Sequence, residues 1–255
     1  MNDVLVTGGT GTLGRVLVPH LVEAGHNVRV LSRRPPREPA EGAEFVLGDV
    51  RSHERVREAA VNVDTVIHLA TSPRWRPRSI EKRGVQNAIA VARERQAHLI
   101  YMSIVGTDKI RFPYYKAKWV GEQHVEASDV AWTIQRATQF HSGMEEFLSY
   151  GVWPTTPNMA FQPVDTGEMS ERLLELVLAG PSRRTPDFGG PEILPIRELL
   201  AIRRSITGKR VLALRGPRVS FLRDLDGGHQ LSPGCVRGHV TWSQWLTSQV
   251  ATPVD

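Results

Sequence analysis

The sequence predicts a doubly wound α/β fold, a mostly parallel sheet covered on both faces, with a small C-terminal substrate-capping region. Three observations predict it. Short apolar runs alternate with helical periodicity up to about residue 138, the rhythm of β-α-β crossovers. The first run opens into a glycine-rich turn, Thr7-Gly8-Gly9-Thr10-Gly11-Thr12-Leu13-Gly14, at the head of a helical pattern. At 255 residues the chain allows one large domain or two small ones and can bury a substantial core.

Val4-Leu5-Val6 is a short β-branched strand. Residues 13–24 follow as a helix with Leu13, Val16, Leu17, Leu21 and Val22 on one face, and Gly25 stops it. Residues 27–31 and 44–47 read as the second and third strands, and 51–60 as a helix. Residues 65–70 are the fourth strand, 80–95 a helix, and 98–102 the fifth strand. A helix over 116–127 and a sixth strand over 131–135 complete the core. Beyond Thr138 the prolines at 154, 157, 163, 181, 186, 191 and 195 break the pattern, and helices remain at 167–178, 196–206 and 239–250. We therefore expect a dinucleotide-binding core over 1–150 and a substrate-side region over 151–255 packed on the same domain.

Composition narrows the function classes. Apolar residues at 40% and charged residues at 23% are ordinary for a folded globular chain. The net charge of +5 is too small and too dispersed to imply nucleic acid. A single cysteine, Cys235, permits no internal disulfide and no cysteine-rich zinc cage, so no metal is expected. Without a signal peptide or an apolar run near the ~20 residues that span a bilayer, the expectation is a cytoplasmic protein with no membrane partner.

The glycine turn carries the first chemistry. Gly9, Gly11 and Gly14 satisfy GxGxxG, while Gly8, Gly11 and Gly14 satisfy the GxxGxxG variant. A diphosphate approaches bare backbone there because glycine has no Cβ, and the helix behind it offers free N–H groups and the positive end of its dipole. Gly8, Gly9, Thr10, Gly11, Thr12, Leu13 and Gly14 are thus the candidate Rossmann-type cradle. At the end of the second strand Arg33 and Arg34 stand where an NAD site places an acid, which points to the 2′-phosphate of NADP rather than to NAD. The alternative for these two is a pair of solvated loop charges. Asp49 and Val50 follow the third strand at the expected adenine edge, and Ala70 and Thr71 follow the fourth. These rest on the rule that ligands bind at the carboxyl ends of strands, and each could be an ordinary loop residue.

The second constellation is Ser103, Tyr114 and Lys118. A spacing of four puts Tyr114 and Lys118 on one helical face, where the ammonium is expected to favour the phenolate. Ser103 ends the fifth strand, and its hydroxyl is expected to orient a substrate oxygen.

Together these residues resemble the short-chain dehydrogenase/reductase superfamily, in its extended and atypical NmrA-like branch. Thr7 to Gly14 is similar to the family's TGxxGxxG loop, residues 101–106 to its fifth-strand segment, and Tyr114 to Lys118, followed by Glu122, to its YxxxK helix. Residues 132–138 are similar to its sixth strand and the loop near the nicotinamide, which implies a cofactor contact for Arg136. The resemblance covers residues 3–180. It implies Tyr114 as general acid/base, Lys118 on the nicotinamide ribose, and Ser103 polarising the substrate. Two departures stand out: Tyr115 adjoins Tyr114, and the family's active-site Asn on the preceding helix finds only Asn87 as a candidate.

The expected function is NADP-dependent hydride transfer to or from a carbonyl or alcohol of a small-molecule substrate, by a monomer or homodimer. The alternatives are a dinucleotide-sensing regulator without turnover, and an epimerase or dehydratase with tightly bound NAD(P). His68, in the apolar fourth strand, reads as a core histidine. Residues 73–78 form a basic loop with one indole, a candidate substrate cover.

Overall fold

The computed structural model describes residues 1–36, 39–72, 79–235 and 237–251. The basic loop over 73–78 lies outside them. The chain divides into two compact units that interleave along the sequence: Met1–Ser103, Pro113–Gln135 and Ser170–Thr185 make the first, and Ile104–Phe112, Arg136–Met169 and Pro186–Asp255 make the second.

The first unit carries the sheet. Its strands are β1 (Asp3–Thr7), β2 (Asn27–Ser32), β3 (Ala43–Leu47), β4 (Thr65–His68), β5 (His98–Ile104), β6 (Trp132–Ala137) and β9 (Arg183–Arg184). Their order is β3-β2-β1-β4-β5-β6-β9. β1 pairs in parallel with β2 on one side and β4 on the other, with Thr7 opposite both Leu31 and His68. The order therefore reverses on either side of β1, which sets a ligand crevice at the carboxyl ends of β1 and β4. The α/β, Rossmann-type doubly wound class is borne out.

Helices cover this sheet because their apolar stripes match it. α1 (Gly14–Glu23) buries Leu17, Val18 and Leu21, and α2 (His53–Ala59) buries Val56 and Ala59 behind a Ser52 cap. α3 (Val85–Arg95) sends Val85, Ala88, Val91 and Ala92 into a cluster with Leu5, Val66, Leu99 and Ile134.

Three departures from the sequence reading move functional residues. The fourth strand stops at His68, leaving Ala70 and Thr71 in the connection. The helix expected over 80–95 opens with a π-helical turn, Ile80–Gly84, which turns Glu81 inward to complete burial. The helix expected from 116 begins at Pro113 and runs to Glu126 (α4), so Tyr114 sits in its first turn. Proline suits that start, since its missing N–H has no intrahelical partner there.

The second unit is built of shorter pieces. β7 (Val152–Thr155) pairs in parallel with β11 (Leu212–Arg215), and β8 (Ala160–Phe161) antiparallel with β10 (Leu194–Pro195). Its helices are α5 (His141–Leu148), α7 (Ile196–Thr207), α8 (Ser220–Asp226) and α9 (Trp242–Ala251); α6 (Thr166–Ala179) divides between the units at Ser170. α5, α8 and the two small sheets had no signal long enough to read. Trp242, Leu199, Met159, Phe161 and Met144 are buried, and the Trp242 indole donates to Leu199 O at 3.2 Å. His141 stacks on Trp242 and Trp245, with centroids 5.6 and 5.7 Å away. No described helix is long and apolar enough to cross a membrane.

Candidate active site

The site grows from the turn after β1. Gly8 has φ +77°, and a Cβ there would lie 2.6 Å from the Ala70 amide nitrogen, so the loop after β4 closes on bare backbone. A Cβ on Gly14 would run into Gly8 O and Gly9 Cα, which lets the helix start directly against the turn. Gly11 differs. Its own N–H closes the turn on Gly8 O at 2.9 Å, and a Cβ would meet only that oxygen, at 3.1 Å. Its outer side is open, and the head of α1 follows at once, with the Arg15 N–H bonded to Gly11 O at 3.0 Å and the Val16 and Leu17 N–H groups to Leu13 O. A glycine ledge open to one side under a helix N-terminus fits a diphosphate.

Around this ledge, Thr10 Oγ1 and Ser32 Oγ lie 3.1 Å apart, tying the turn to the end of β2, and Ser32 also donates to Arg34 O at 2.8 Å. Arg33 and Arg34 are exposed. Asp49 is bound closely by Arg51, whose guanidinium reaches Asp49 Oδ2 at 2.6 Å, and with Arg33 contributing as well its carboxyl is held below the usual range. Val50 is buried, and its carbonyl accepts from the Asn87 side-chain amide at 2.8 Å. Asn87, the candidate for the family's active-site Asn, thus fixes the loop after β3.

His68 is fully buried, with Nδ1 2.9 Å from Thr7 Oγ1, which binds the ends of β1 and β4 together. Burial lowers its pKa to about 4, so it is neutral near pH 7, in keeping with a core histidine.

The polar centre is denser than the sequence suggested. Glu81 Oε1 accepts from Thr71 Oγ1 at 2.5 Å and pairs with Lys118 Nζ at 3.1 Å, while Oε2 accepts from the Tyr101 hydroxyl at 2.6 Å. Lys118 Nζ also donates to Met102 O at 3.0 Å and lies 4.8 Å above the Tyr101 ring. Gly121 makes room for this packing, since a Cβ there would collide with the Tyr101 hydroxyl. A second buried carboxylate, Glu122, accepts from Ser103 Oγ at 2.5 Å and meets Arg184 at 2.9 Å.

Tyr114 is half-buried. Burial pushes its phenol above the ordinary value; the Lys118 charge pulls it back, Glu81 pushes it up again, and a hydrogen bond with Thr71 pulls it down. The upward influences win. Lys118 does lower the phenol, in the expected direction, but burial outweighs it and the net shift is upward. Ser103, Tyr114, Lys118 and Thr71 all belong to the first unit, whereas Arg136 belongs to the second, where its guanidinium meets Asp108 at 2.9 Å.

Glu81 was not singled out in the sequence, because a glutamate inside a helical pattern reads as solvated. Glu122 carried a usable signal: Tyr114, Lys118 and Glu122 recur every four residues, along one helical face.

Residues 8–156 match the NAD(P)H-binding family, more than half of the chain. The chain belongs to that family. It is similar to the photosystem II assembly factor Ycf39 of Cyanophora paradoxa, 25% identical over 235 residues that cover 86% of this chain and 73% of that protein. It is also 28% identical over 218 residues to a (4-alkanoyl-5-oxo-2,5-dihydrofuran-3-yl)methyl phosphate reductase of Streptomyces griseus, covering 81% of this chain and 74% of the reductase. Among solved structures, the Bordetella bronchiseptica enzyme WbmH in complex with NAD+ superposes with a TM-score of 0.77 over 98% of each chain, at 16% identity. At that identity the likeness shows the fold alone. As a member of the NAD(P)H-binding family, the chain has its glycine cradle inside the matched span.

Proposed function

We propose that this protein is an NADPH-dependent reductase of a small carbonyl compound, with Tyr114 as the proton donor. One observation carries the reading: a half-buried phenol, kept protonated by its surroundings, stands in the first turn of α4 in the unit that holds the dinucleotide cradle. A group that stays protonated near pH 7 suits donation to a developing alkoxide better than abstraction from an alcohol.

When bound, the dinucleotide supplies hydride. The rest is the work of the chain. The Gly8–Gly14 turn and the head of α1 hold the diphosphate, and Arg33 and Arg34 meet the 2′-phosphate. Lys118, anchored by Glu81 and Met102 O, would hold the nicotinamide ribose with its remaining N–H. Ser103 spends its proton on Glu122, so Oγ offers lone pairs and accepts from a substrate hydroxyl. Tyr114 is thus the donor to the substrate carbonyl, and such proton transfer contributes ~10²–10⁴-fold to rate. The substrate is a small molecule, and neither nucleic acid nor a membrane is needed as partner.

Calorimetric titration of wild type and Arg33→Ala with NADPH and NADH tests the cofactor. NADPH is expected to bind more tightly, and the substitution to weaken NADPH roughly tenfold or more while sparing NADH, as loss of a charge-assisted bond would. Tighter NADH binding that is unaffected by the substitution would overturn the NADPH assignment. NADPH consumption across a panel of aldehydes, ketones and quinones tests the reaction.

A second reading, dinucleotide sensing without turnover, has its own support in the likeness to an assembly factor and in the engagement of Lys118 by Glu81. It predicts NADPH binding with no consumption on any carbonyl.

A further inference from the structure

We infer that the outer edge of β11 is a docking surface for an extended acidic segment of a partner protein, added as a third strand to the β7–β11 sheet. This goes beyond the reductase reading and does not rest on it.

β11 has one neighbour, β7, with which it pairs in parallel, and its other side is a free edge. The Leu212 N–H reaches Gly151 O at 2.8 Å and the Gly216 N–H reaches Thr155 O at 3.0 Å, so alternate residues of β11 turn their main chain to β7. Ala213 and Arg215 turn theirs outward. Such an edge is a template for a further strand, and all four residues of this one are exposed. Its side chains add an apolar face. In register, Leu212 lies beside Val152 and Leu214 beside Pro154; Leu212 is 58% exposed, Leu214 48% and Val152 50%. The opposite face is occupied, since Trp153 packs on Phe161 and Phe147 with centroids 5.9 and 6.3 Å away.

Charge selects the occupant. Residues 197–223 hold eight lysines and arginines against one acid, Glu198, a local excess larger than the +5 of the whole chain. Arg203 is buried against Glu145, and the other seven are exposed. Lys209 and Arg210 precede β11, Arg215 ends it and Arg218 follows, with no acid between Gly208 and Val219. Among the described residues none of these four cations meets a carboxylate. Cations at both ends repel a second copy of the same edge in either direction, and attract a strand whose ends are Asp or Glu. A segment of about six residues, at ~3.3 Å each, runs the length of β11 and reaches both ends. A nucleic acid or a lipid headgroup would use the cations and leave the outward N–H groups and the leucines unused.

The test uses the full chain and two synthetic peptides of alternating valine and threonine, one with paired glutamates at each end and one with paired lysines. Binding is read by fluorescence anisotropy at low salt, and the bound state by amide hydrogen exchange. The glutamate peptide is expected to bind at least about tenfold more tightly than the lysine peptide. It is also expected to slow exchange at Ala213 and Arg215, while Leu212 and Gly216, already bonded to β7, stay within a few-fold. Ala213→Pro removes an outward N–H without touching a bond to β7, and should weaken the glutamate peptide by about tenfold or more. Arg210→Glu combined with Arg215→Glu should reverse the preference between the peptides, a second reading should the proline variant fail to fold. Failure of the glutamate peptide to bind, equal binding of both peptides, or binding without protection of Ala213 and Arg215 overturns the inference. So does a preference for phosphatidylserine vesicles over the peptide, or self-association that Ala213→Pro abolishes, which would assign the edge to a lipid surface or to a second copy.

Discussion

At the scale of single residues, the site is decided by which polar groups are already taken. Lys118 and Ser103 each meet a buried glutamate, which leaves Tyr114 as the proton donor we propose. Tyr114→Phe should therefore lower NADPH turnover by ~10²-fold or more while leaving NADPH affinity intact, as initial rates and calorimetry on the same preparation would show. A variant that keeps turnover would displace Tyr114 from the chemistry. His68 makes a separate prediction about stability. Its folded pKa of about 4 lies below the ordinary value of 6.5, so the unfolded chain binds more protons between these pH values. Its contribution is fully present above pH 6.5 and is lost as pH falls toward 4, on the order of 3 kcal/mol in total. Urea midpoints should fall more steeply over that window in wild type than in His68→Asn, whose side chain does not titrate. Equal slopes would show that the imidazole is not buried neutral.

At the scale of elements, glycines in one turn do different work. Gly14→Ala forces a methyl into Gly8 O and Gly9 Cα and should cost at least ~1–3 kcal/mol of stability. Gly11→Ala meets little protein, so it should fold normally and yet bind NADPH at least tenfold more weakly, because the new methyl occupies the ledge. Thermal melts and calorimetry on the pair separate a structural glycine from a ligand-facing one; a Gly11→Ala protein with undiminished affinity would place the diphosphate elsewhere. This turn was legible from the sequence because its signal is local: Gly8, Gly11 and Gly14 stand within seven residues of one another, although Gly11 has room for a methyl where the other two do not. The succession of strands and helices and the Tyr114–Lys118 face were legible as periodicity. The burial of Glu81 was not, since it depends on a π-turn and on Gly121 in α4 conceding space to Tyr101 of β5. Nor were β7 and β11, whose four residues each pair across 60 positions of sequence.

At the scale of the whole molecule, the interleaving of the two units has a consequence for ligand binding. The cradle, the arginines after β2 and the Glu81 cluster all lie within Met1–Ser103 and Pro113–Gln135, the first unit. Bound as proposed, a dinucleotide draws its free energy from contacts there, and linkage converts it to stability: at a concentration one hundred times the dissociation constant, the gain is ~2.7 kcal/mol. That gain should be unevenly distributed. Hydrogen exchange with saturating NADPH is expected to slow most in the Thr7–Arg15 turn, around Ser32–Arg34 and at Asp49–Val50, where backbone groups face the ligand. Amides of α7 and α9, which belong wholly to the second unit, are expected to change less. If protection instead concentrated in the second unit and spared the glycine turn, the nucleotide would have to bind away from the β1–β4 crevice. The assignment of Tyr114 as its neighbour would then fall with the cradle.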